Sequence, residues 1–361
     1  MKAYVLHGID DIRFEEVPKP VEKEGWARIK VMAAGICGSD IPRIYRTGAH
    51  MHPIIPGHEF SGIVESVGKT NSELTTGEAG SGMIGKRVGI FPLIPCGKCP
   101  QCKKKHYETC CDYDYLGSRR DGGFSEYVNV PLWNLIELPN EVSFETAAML
   151  EPFSVAVHAV RQAVDDNTDR DAKVLVWGLG TIGIVVCMIL NAEGFKNVYC
   201  VGNKEIQAEM VEKCAGISKS NVFCFGDLKT VDKNAAALEG GFDFCFECVG
   251  KTDTYEEVIR MAAPMATVVL VGNPYSDMTL SKDTYWRILR NQLVVKGTWN
   301  SSFCGEVKDD WHYALSFLQS RQENASLLIT HRYALKDLQN GFEMMRDKSD
   351  YYIKCMTRFG C

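Results

Sequence analysis

The chain of 361 residues has no uninterrupted apolar stretch approaching the roughly 18 residues of a membrane-spanning helix. It also lacks an excess of positive charge, since 40 lysines and arginines stand against 46 aspartates and glutamates, a formal net charge of −6. No global basic field is therefore present to hold a nucleic-acid backbone. Internal repeats and low-complexity segments are missing, which argues against solenoids, collagen-like arrays and disordered tails. The opening residues, MKAYVLHGIDDIRFEEVPKP, carry early charges and no apolar core. No secretory signal is expected there, and the chain reads as cytoplasmic. With 45% hydrophobic and 24% charged residues the composition is that of an ordinary globular chain. Its length suggests about two domains.

Cysteine, by contrast, is abundant. The count of 15 is odd and high, and in a cytoplasmic chain clustered cysteines point to metal ligation before disulfides. Four stand at Cys96, Cys99, Cys102 and Cys110, with Cys111 beside the last. Cys187, Cys200, Cys245 and Cys248 lie in apolar surroundings, Cys355 and Cys361 near the end, and all six read as small buried hydrophobes.

The first third is rich in glycine, proline and short β-branched runs at 26–31, 62–67, 86–90 and 126–130, the texture of a sheet-rich domain with long loops. Near Glu145 the pattern turns helical, in TAAMLEPFSVAVHAVRQAV, until the polar loop DDNTDRD ends it. Strands and helices then alternate. Strands are expected at 173–177, 197–201, 222–225, 242–248, 267–271 and 293–297, with helices at 182–192 and 206–215 among them. That alternation predicts an α/β unit with a doubly wound parallel sheet. From about Thr298 come two amphipathic helices, around 311–319 and 335–348, and a closing strand near 353–357.

Four groups of residues carry chemistry. In VWGLGTIGIVV, Gly178, Gly180 and Gly183 follow an expected strand and open an expected helix, the context in which such glycines cradle a dinucleotide pyrophosphate. The run Cys96-x2-Cys99-x2-Cys102-x7-Cys110 can close a tetrahedron of thiolates around zinc, with iron–sulfur ligation as the competing chemistry. Spacing alone leaves Cys110 and Cys111 equivalent as the fourth ligand. Five lysine and histidine residues in GKCPQCKKKHYETC would offset the charge of that site. The third group is split among Cys37-Gly38-Ser39-Asp40, Gly57-His58-Glu59 and Glu151-Pro152. Its sulfur, nitrogen and oxygen donors suit an open, catalytic zinc site. Taken singly, however, His58 also reads as a core histidine, Glu151 as a helix-start charge and Cys37 as inert. The fourth is GSRRDGG, where Arg119 and Arg120 suit an anionic group or simply face solvent.

In this order, GHEFSGIVESVG, CGSD, the cysteine run, LEP and GLGTIG resemble the zinc-dependent medium-chain dehydrogenase/reductase family along essentially the whole chain. CGSDIPRIYRTGAH, FPLIPCGKCPQC and YLGSRRDGGFSEYV are most similar to the polyol dehydrogenase branch, and within it to the galactitol-1-phosphate 5-dehydrogenases. The resemblance implies a GroES-like, β-rich catalytic domain over 1–152 and 298–361, with its zinc lobe at about 91–113 and a Rossmann domain inserted at 153–297. It implies that Cys37, His58 and Glu151 bind the catalytic zinc, with Glu59 beside it and able to exchange into its shell. Asp40 would orient His58, as metal-bound imidazoles require, and Ser39 would pass the substrate proton outward. Cys96, Cys99, Cys102 and Cys110 would bind a structural zinc, and Arg43, Arg119 and Trp299 would meet the substrate. A homodimer or homotetramer is implied as well.

The expected activity is therefore hydride transfer between a secondary alcohol of a sugar-alcohol phosphate and a nicotinamide cofactor. Free polyols of sorbitol or xylitol type and threonine are the nearest alternative substrates, and a non-enzymatic cofactor-binding protein is the remote one. Gly178, Gly180, Thr181, Ile182 and Gly183 would hold the cofactor diphosphate. An acidic residue about 20 positions past the glycine motif marks NAD binding, but here NVYCVGNKEI offers Gly202, Asn203 and Lys204. That favours NADP(H) over NAD(H), unless Glu205 reaches the ribose. A carboxylate placed at Gly202 is expected to turn selectivity toward NAD.

Overall fold

The computed structural model describes residues 1–68, 82–224 and 239–359. The chain divides into two compact units, Met1–Glu151 with Ser302–Cys361, and Pro152–Ser301. The first unit is thus left once and rejoined.

In the first unit a hairpin of β1 (Lys2–Gly8) and β2 (Asp11–Glu16) accompanies a sheet built on β3 (Trp26–Ile36). Along one edge β3 pairs antiparallel with β4 (Glu59–Val67), which continues to β5 (Arg87–Ile90) and β9 (Leu135–Glu137). Along the other edge it pairs antiparallel with β8 (Tyr127–Pro131) near its start and β17 (Lys354–Arg358) near its end, and β17 continues to β16 (Ile329–Ala334). The sequence pattern ends β3 at residue 31, but the strand runs on. Ala33, Ala34, Gly35 and Ile36 are all buried, so the alternation that marks a half-exposed strand disappears there. Two short strands, β6 (Leu93–Ile94) and β7 (Asp114–Tyr115), form a ribbon whose connection carries the cysteine run. Ile29, Ile36, Phe60, Phe124 and Phe342 fill the main core. A knot of Phe91, Trp133, Phe303 and Trp311, with Tyr107 at 5.2 Å from Trp133, ties the returning C-terminal segment to the cysteine lobe.

The second unit is a six-stranded parallel sheet of β10 (Lys173–Trp177), β11 (Asn197–Gly202), β12 (Val222–Cys224), β13 (Phe242–Glu247), β14 (Ala262–Leu270) and β15 (Val294–Gly297). Its spatial order is β12-β11-β10-β13-β14-β15. The order reverses between β10 and β13, the switch point beyond whose strand ends such sheets bind ligands. The end of the strand expected at 222–225 falls on Phe225, outside the described residues. The helix expected through TAAMLEPFSVAVHAVRQAV is two helices, Phe144–Ala148 and Leu150–Ala163. Pro152 lacks the N–H that a helix interior needs and is tolerated in a first turn, so a fresh start at Leu150 accommodates it. Among the described residues no helix is long and apolar enough to cross a membrane.

Candidate active site and cofactor turn

The two antiparallel neighbours at the end of β3, β4 and β17, bring chemistry there. Cys37 follows β3 directly, Glu59 opens β4 opposite Gly35, and Lys354 opens β17 beside it. One donor atom from each of Cys37, His58 and Glu59 lies within 4.8 Å of the others. A thiolate, an imidazole and a carboxylate this close are a donor set that zinc accepts. Lys354 Nζ donates to Glu59 Oε1 at 2.8 Å and Oε2 at 2.6 Å, and also to the Ile36 carbonyl at 3.3 Å. Both partners of this ion pair are buried.

Asp40, fully buried, accepts the Cys37 N–H at 3.0 Å and Arg43 Nη1 at 2.5 Å. Burial alone would raise its carboxyl, but His58 and Arg43 outweigh that and hold it below its usual range. His58 Nδ1 stands 3.5 Å from Asp40 Oδ1, near enough for charge attraction but without a hydrogen bond. Burial would lower the ring, yet Asp40 and Cys37 raise it well above an ordinary histidine. Ser39 Oγ donates to Cys37 Sγ at 3.3 Å.

Glu151 stands apart from the tight group. It lies in the first turn of the helix Leu150–Ala163, where its Oε1 accepts a long 3.4 Å bond from the Tyr115 hydroxyl. Burial pushes its carboxyl up to about 7, against the pull of His58. The Tyr115 ring meets His58 edge-on at 5.8 Å. So Cys37 and His58 are joined here by Glu59, not by the Glu151 of the expected trio. Lys354 and Tyr115 escaped the sequence reading. The signal for Lys354 was a single charge inside the apolar closing strand, YYIKCM.

The thiols of Cys96, Cys99, Cys102 and Cys110 also lie within 4.8 Å of one another, with Cys96–Cys102 and Cys99–Cys110 sulfurs each 3.9 Å apart. A zinc tetrahedron with sulfur at about 2.3 Å has edges near 3.8 Å, so the quartet fits that ion. Cys111 is exposed and outside the group. N–H groups of Cys102 and Cys111 directed at Cys99 bring its thiol down to about 6.

The arginine loop is locked by its backbone. Gly123 N–H donates to the Gly57 carbonyl at 2.8 Å, Gly122 N–H to Ile55 at 2.8 Å, and Ile55 N–H to Asp121 Oδ1 at 2.9 Å. Its glycines thus serve packing against the segment that leads into His58. Arg120 pairs with Asp114, and Arg119 lies over the Tyr113 ring at 4.6 Å. Of the two arginines expected to meet the substrate, Arg43 is already engaged by Asp40. Both arginines nevertheless act on His50, which burial, Arg119 and Arg43 together push below its ordinary value. Trp299 belongs to the second unit and is 53% exposed.

In that unit Gly178, at φ 102°, turns the chain from β10 into the helix Thr181–Ala192, whose cap is Gly180. A side chain at Gly183 would run into the Gly178 carbonyl. Ile182 sits in the first turn of the same helix. β11 ends at Gly202, and Asn203, Lys204 and Glu205 are exposed. Gln207, which the sequence reading did not single out, takes the N–H groups of Asn203 at 2.8 Å and Lys204 at 3.1 Å, and donates to the Leu179 carbonyl at 2.9 Å. A side chain at Gly202 would strike Gln207 Oε1, so that position cannot take a carboxylate without breaking this bridge.

Residues 23–140 match the alcohol dehydrogenase GroES-like domain, and residues 144–357 the glucose dehydrogenase C-terminus. The galactitol 1-phosphate 5-dehydrogenase of Escherichia coli K12 is 33% identical over 319 residues, 88% of each chain. The chain belongs to the zinc-dependent medium-chain dehydrogenase/reductase family. The crystal structure of galactitol-1-phosphate dehydrogenase from Escherichia coli has a TM-score of 0.85 and 30% identity, covering 99% of this chain and 100% of that one. The L-threonine 3-dehydrogenase of Shewanella woodyi is 28% identical over 92% of each chain. As a member of this family the protein is an oxidoreductase of CH–OH donors, an alcohol or polyol dehydrogenase, with a GroES-like unit and a Rossmann-type sheet.

Replacing Lys354 with methionine strands the buried Glu59 carboxylate. The expected loss is about 3–5 kcal/mol of stability in urea denaturation. The double variant Lys354→Met with Glu59→Gln is expected to recover part of it.

Proposed function

We propose that this dehydrogenase oxidises a secondary alcohol of a sugar-alcohol phosphate to a ketose phosphate, with NADP(H) preferred over NAD(H) and two zinc ions in each chain. The mixed cluster of Cys37, His58 and Glu59, with Glu151 across Tyr115, would hold the catalytic ion, and the four thiols of the lobe the structural one. Zinc bound there would supply Lewis acidity that lowers the pKa of a substrate hydroxyl. Asp40 fixes the Cys37 backbone and would hold His58 by charge attraction, while Ser39 would carry the hydroxyl proton outward. Lys354 balances the charge of Glu59 and restrains it beside the site. The nicotinamide cofactor would take the hydride, its diphosphate held at Gly178, Gly180, Thr181, Ile182 and Gly183. Assembly as a homodimer or homotetramer follows the habit of the family.

The phosphate specificity is supported by two arginines, Arg43 and Arg119, in the unit that also holds the donor cluster, both near enough to His50 for their charge to lower its pKa. Guanidinium pairs suit phosphate geometry. Arg43→Ala would also release Asp40, so Arg119→Ala is the cleaner test. It is expected to raise KM for galactitol 1-phosphate by about tenfold or more while leaving KM for free galactitol nearly unchanged. Equal wild-type kcat/KM on galactitol and its phosphate would reject the reading. A higher value on L-threonine would favour the relatives of that name.

Metal content distinguishes the two cysteine groups. Cys37→Ala is expected to hold about one zinc per chain, with turnover lost and the fold kept, because an open site contributes locally. Cys99→Ala is expected to lower stability and yield, since a closed site contributes folding energy directly.

The cofactor preference is supported by a β11 end that has no carboxylate to bond a ribose or to repel a 2′-phosphate. Asn203→Asp, at an exposed position clear of Gln207, is expected to shift the ratio of kcat/KM toward NAD⁺. A wild-type enzyme with strong preference for NAD⁺ would overturn this part.

A further inference from the structure

Glu247 ends β13 and is only 2% exposed, yet neither the donor cluster nor the glycine turn contains it. Its Oε1 accepts the N–H groups of Val249 at 2.9 Å and Gly250 at 3.0 Å and the Thr254 hydroxyl at 2.7 Å. Its Oε2 accepts from Gly250 as well, at 3.0 Å. Its main-chain carbonyl takes the N–H groups of Val271 at 2.8 Å and Gly272 at 2.9 Å. One residue therefore ties together the turn after β13, the start of the helix Thr252–Met261 and the end of β14.

That turn is the wall on which the glycine turn rests. Cys248 N–H donates to the Trp177 carbonyl at 2.8 Å, immediately before Gly178. A side chain at Gly178 would meet Val249 Cγ2 at 2.5 Å and the Cys248 carbonyl carbon at 3.2 Å. Gly250, at φ 81°, is pressed in turn against Asn273. The placing of residues 248–250 thus sets the placing of Gly178.

Charge adds a second consequence. The strands are parallel, so the helices that follow β10, β11 and β13 start at the same sheet edge, each with a partly positive N-terminus. Beside the helix Thr252–Met261 the Glu247 carboxylate takes the Val249 and Gly250 N–H groups just ahead of it and the Thr254 hydroxyl in its first turn. At the helix Glu205–Ala215 the Gln207 amide oxygen takes the N–H groups of Asn203 and Lys204, the two residues just ahead of it. At the helix Thr181–Ala192 the cap is Gly180, which has no side chain to offer.

We propose that Glu247 is a positioning residue for the dinucleotide. It acts through the 248–250 turn and by placing a negative charge beside the neighbouring helix start, so that the cofactor diphosphate is directed to the Gly178–Gly183 turn. This rests on the reading of that turn as the cofactor site. A carboxylate suits the task because all its lone pairs accept, whereas an amide would turn an NH₂ toward backbone N–H groups and force the turn open.

The test is Glu247→Gln in the full-length zinc enzyme, with NADPH and NADH affinities read by nicotinamide fluorescence titration. Both dissociation constants are expected to rise about tenfold, with KM for the cofactor rising alike. Zinc content and KM for the alcohol should stay unchanged, as should kcat at saturating cofactor. Glu247→Asp should restore part of the affinity. If Glu247→Gln does not fold, Thr254→Val removes one donor of the same network and should weaken both cofactors severalfold. Wild-type affinity in whichever variant folds would overturn the proposal, as would a parallel rise in the alcohol KM. A wild-type enzyme that binds neither dinucleotide would refute the cofactor reading itself.

Discussion

The catalytic unit depends on the end of β3 lying between two antiparallel neighbours. Because β4 and β17 both run against it, the end of one strand meets the beginnings of two others. Cys37, His58 with Glu59, and Lys354 come from segments far apart in the chain, and the register alone assembles them. Lys354 is the element that makes this meeting tolerable. A carboxylate buried near a thiol and a second carboxylate would carry a large desolvation cost. The ammonium 2.6 Å away supplies the opposite charge and, through the Ile36 carbonyl, pins β17 to the end of β3.

Around that pair the site holds a graded balance of charge. Asp40, Glu59 and Glu151 bring acid, while His58, Lys354 and Arg43 bring base, all within a region nearly closed to water. Glu151, the acid without a cationic hydrogen-bond partner of its own, is the one burial pushes up to about 7. A divalent ion arriving beside it would reverse that tendency and hold the carboxylate ionised. The lobe works differently. Its four thiols come from one short stretch, and backbone N–H groups of Cys96 and Cys102 already point at sulfur.

That contrast explains what could be read from the residues. The parallel sheet was legible because each strand and helix carries its own local pattern, and the glycine turn because one βα junction contains it. The cysteine quartet was legible as a group, since one stretch of 15 residues, Cys96 to Cys110, holds all three of its intervals, although the choice of Cys110 over Cys111 depends on which sulfur turns inward. Cys37 and His58 were assembled only by resemblance, because register across β3 and β4 leaves no trace in spacing. Lys354 and Gln207 were missed for the same reason: their meaning lies in partners 295 and 28 residues away, Glu59 and Leu179. The extension of β3 to Ile36 was hidden by burial on both faces, which erases the alternation a strand is recognised by.

The arginine loop shows how one motif answers two demands. Its glycines let the backbone close on residues 55–57, so the loop that carries Arg119 is fixed to the segment that carries His58. Arg43 reaches the same histidine from the other side, through Asp40. An anion drawn to Arg43 would compete with Asp40 for one guanidinium, and in so dry a setting that competition is felt strongly. On the proposed reading, an anion at Arg43 and the donor cluster at His58 would therefore share a single buried carboxylate, Asp40.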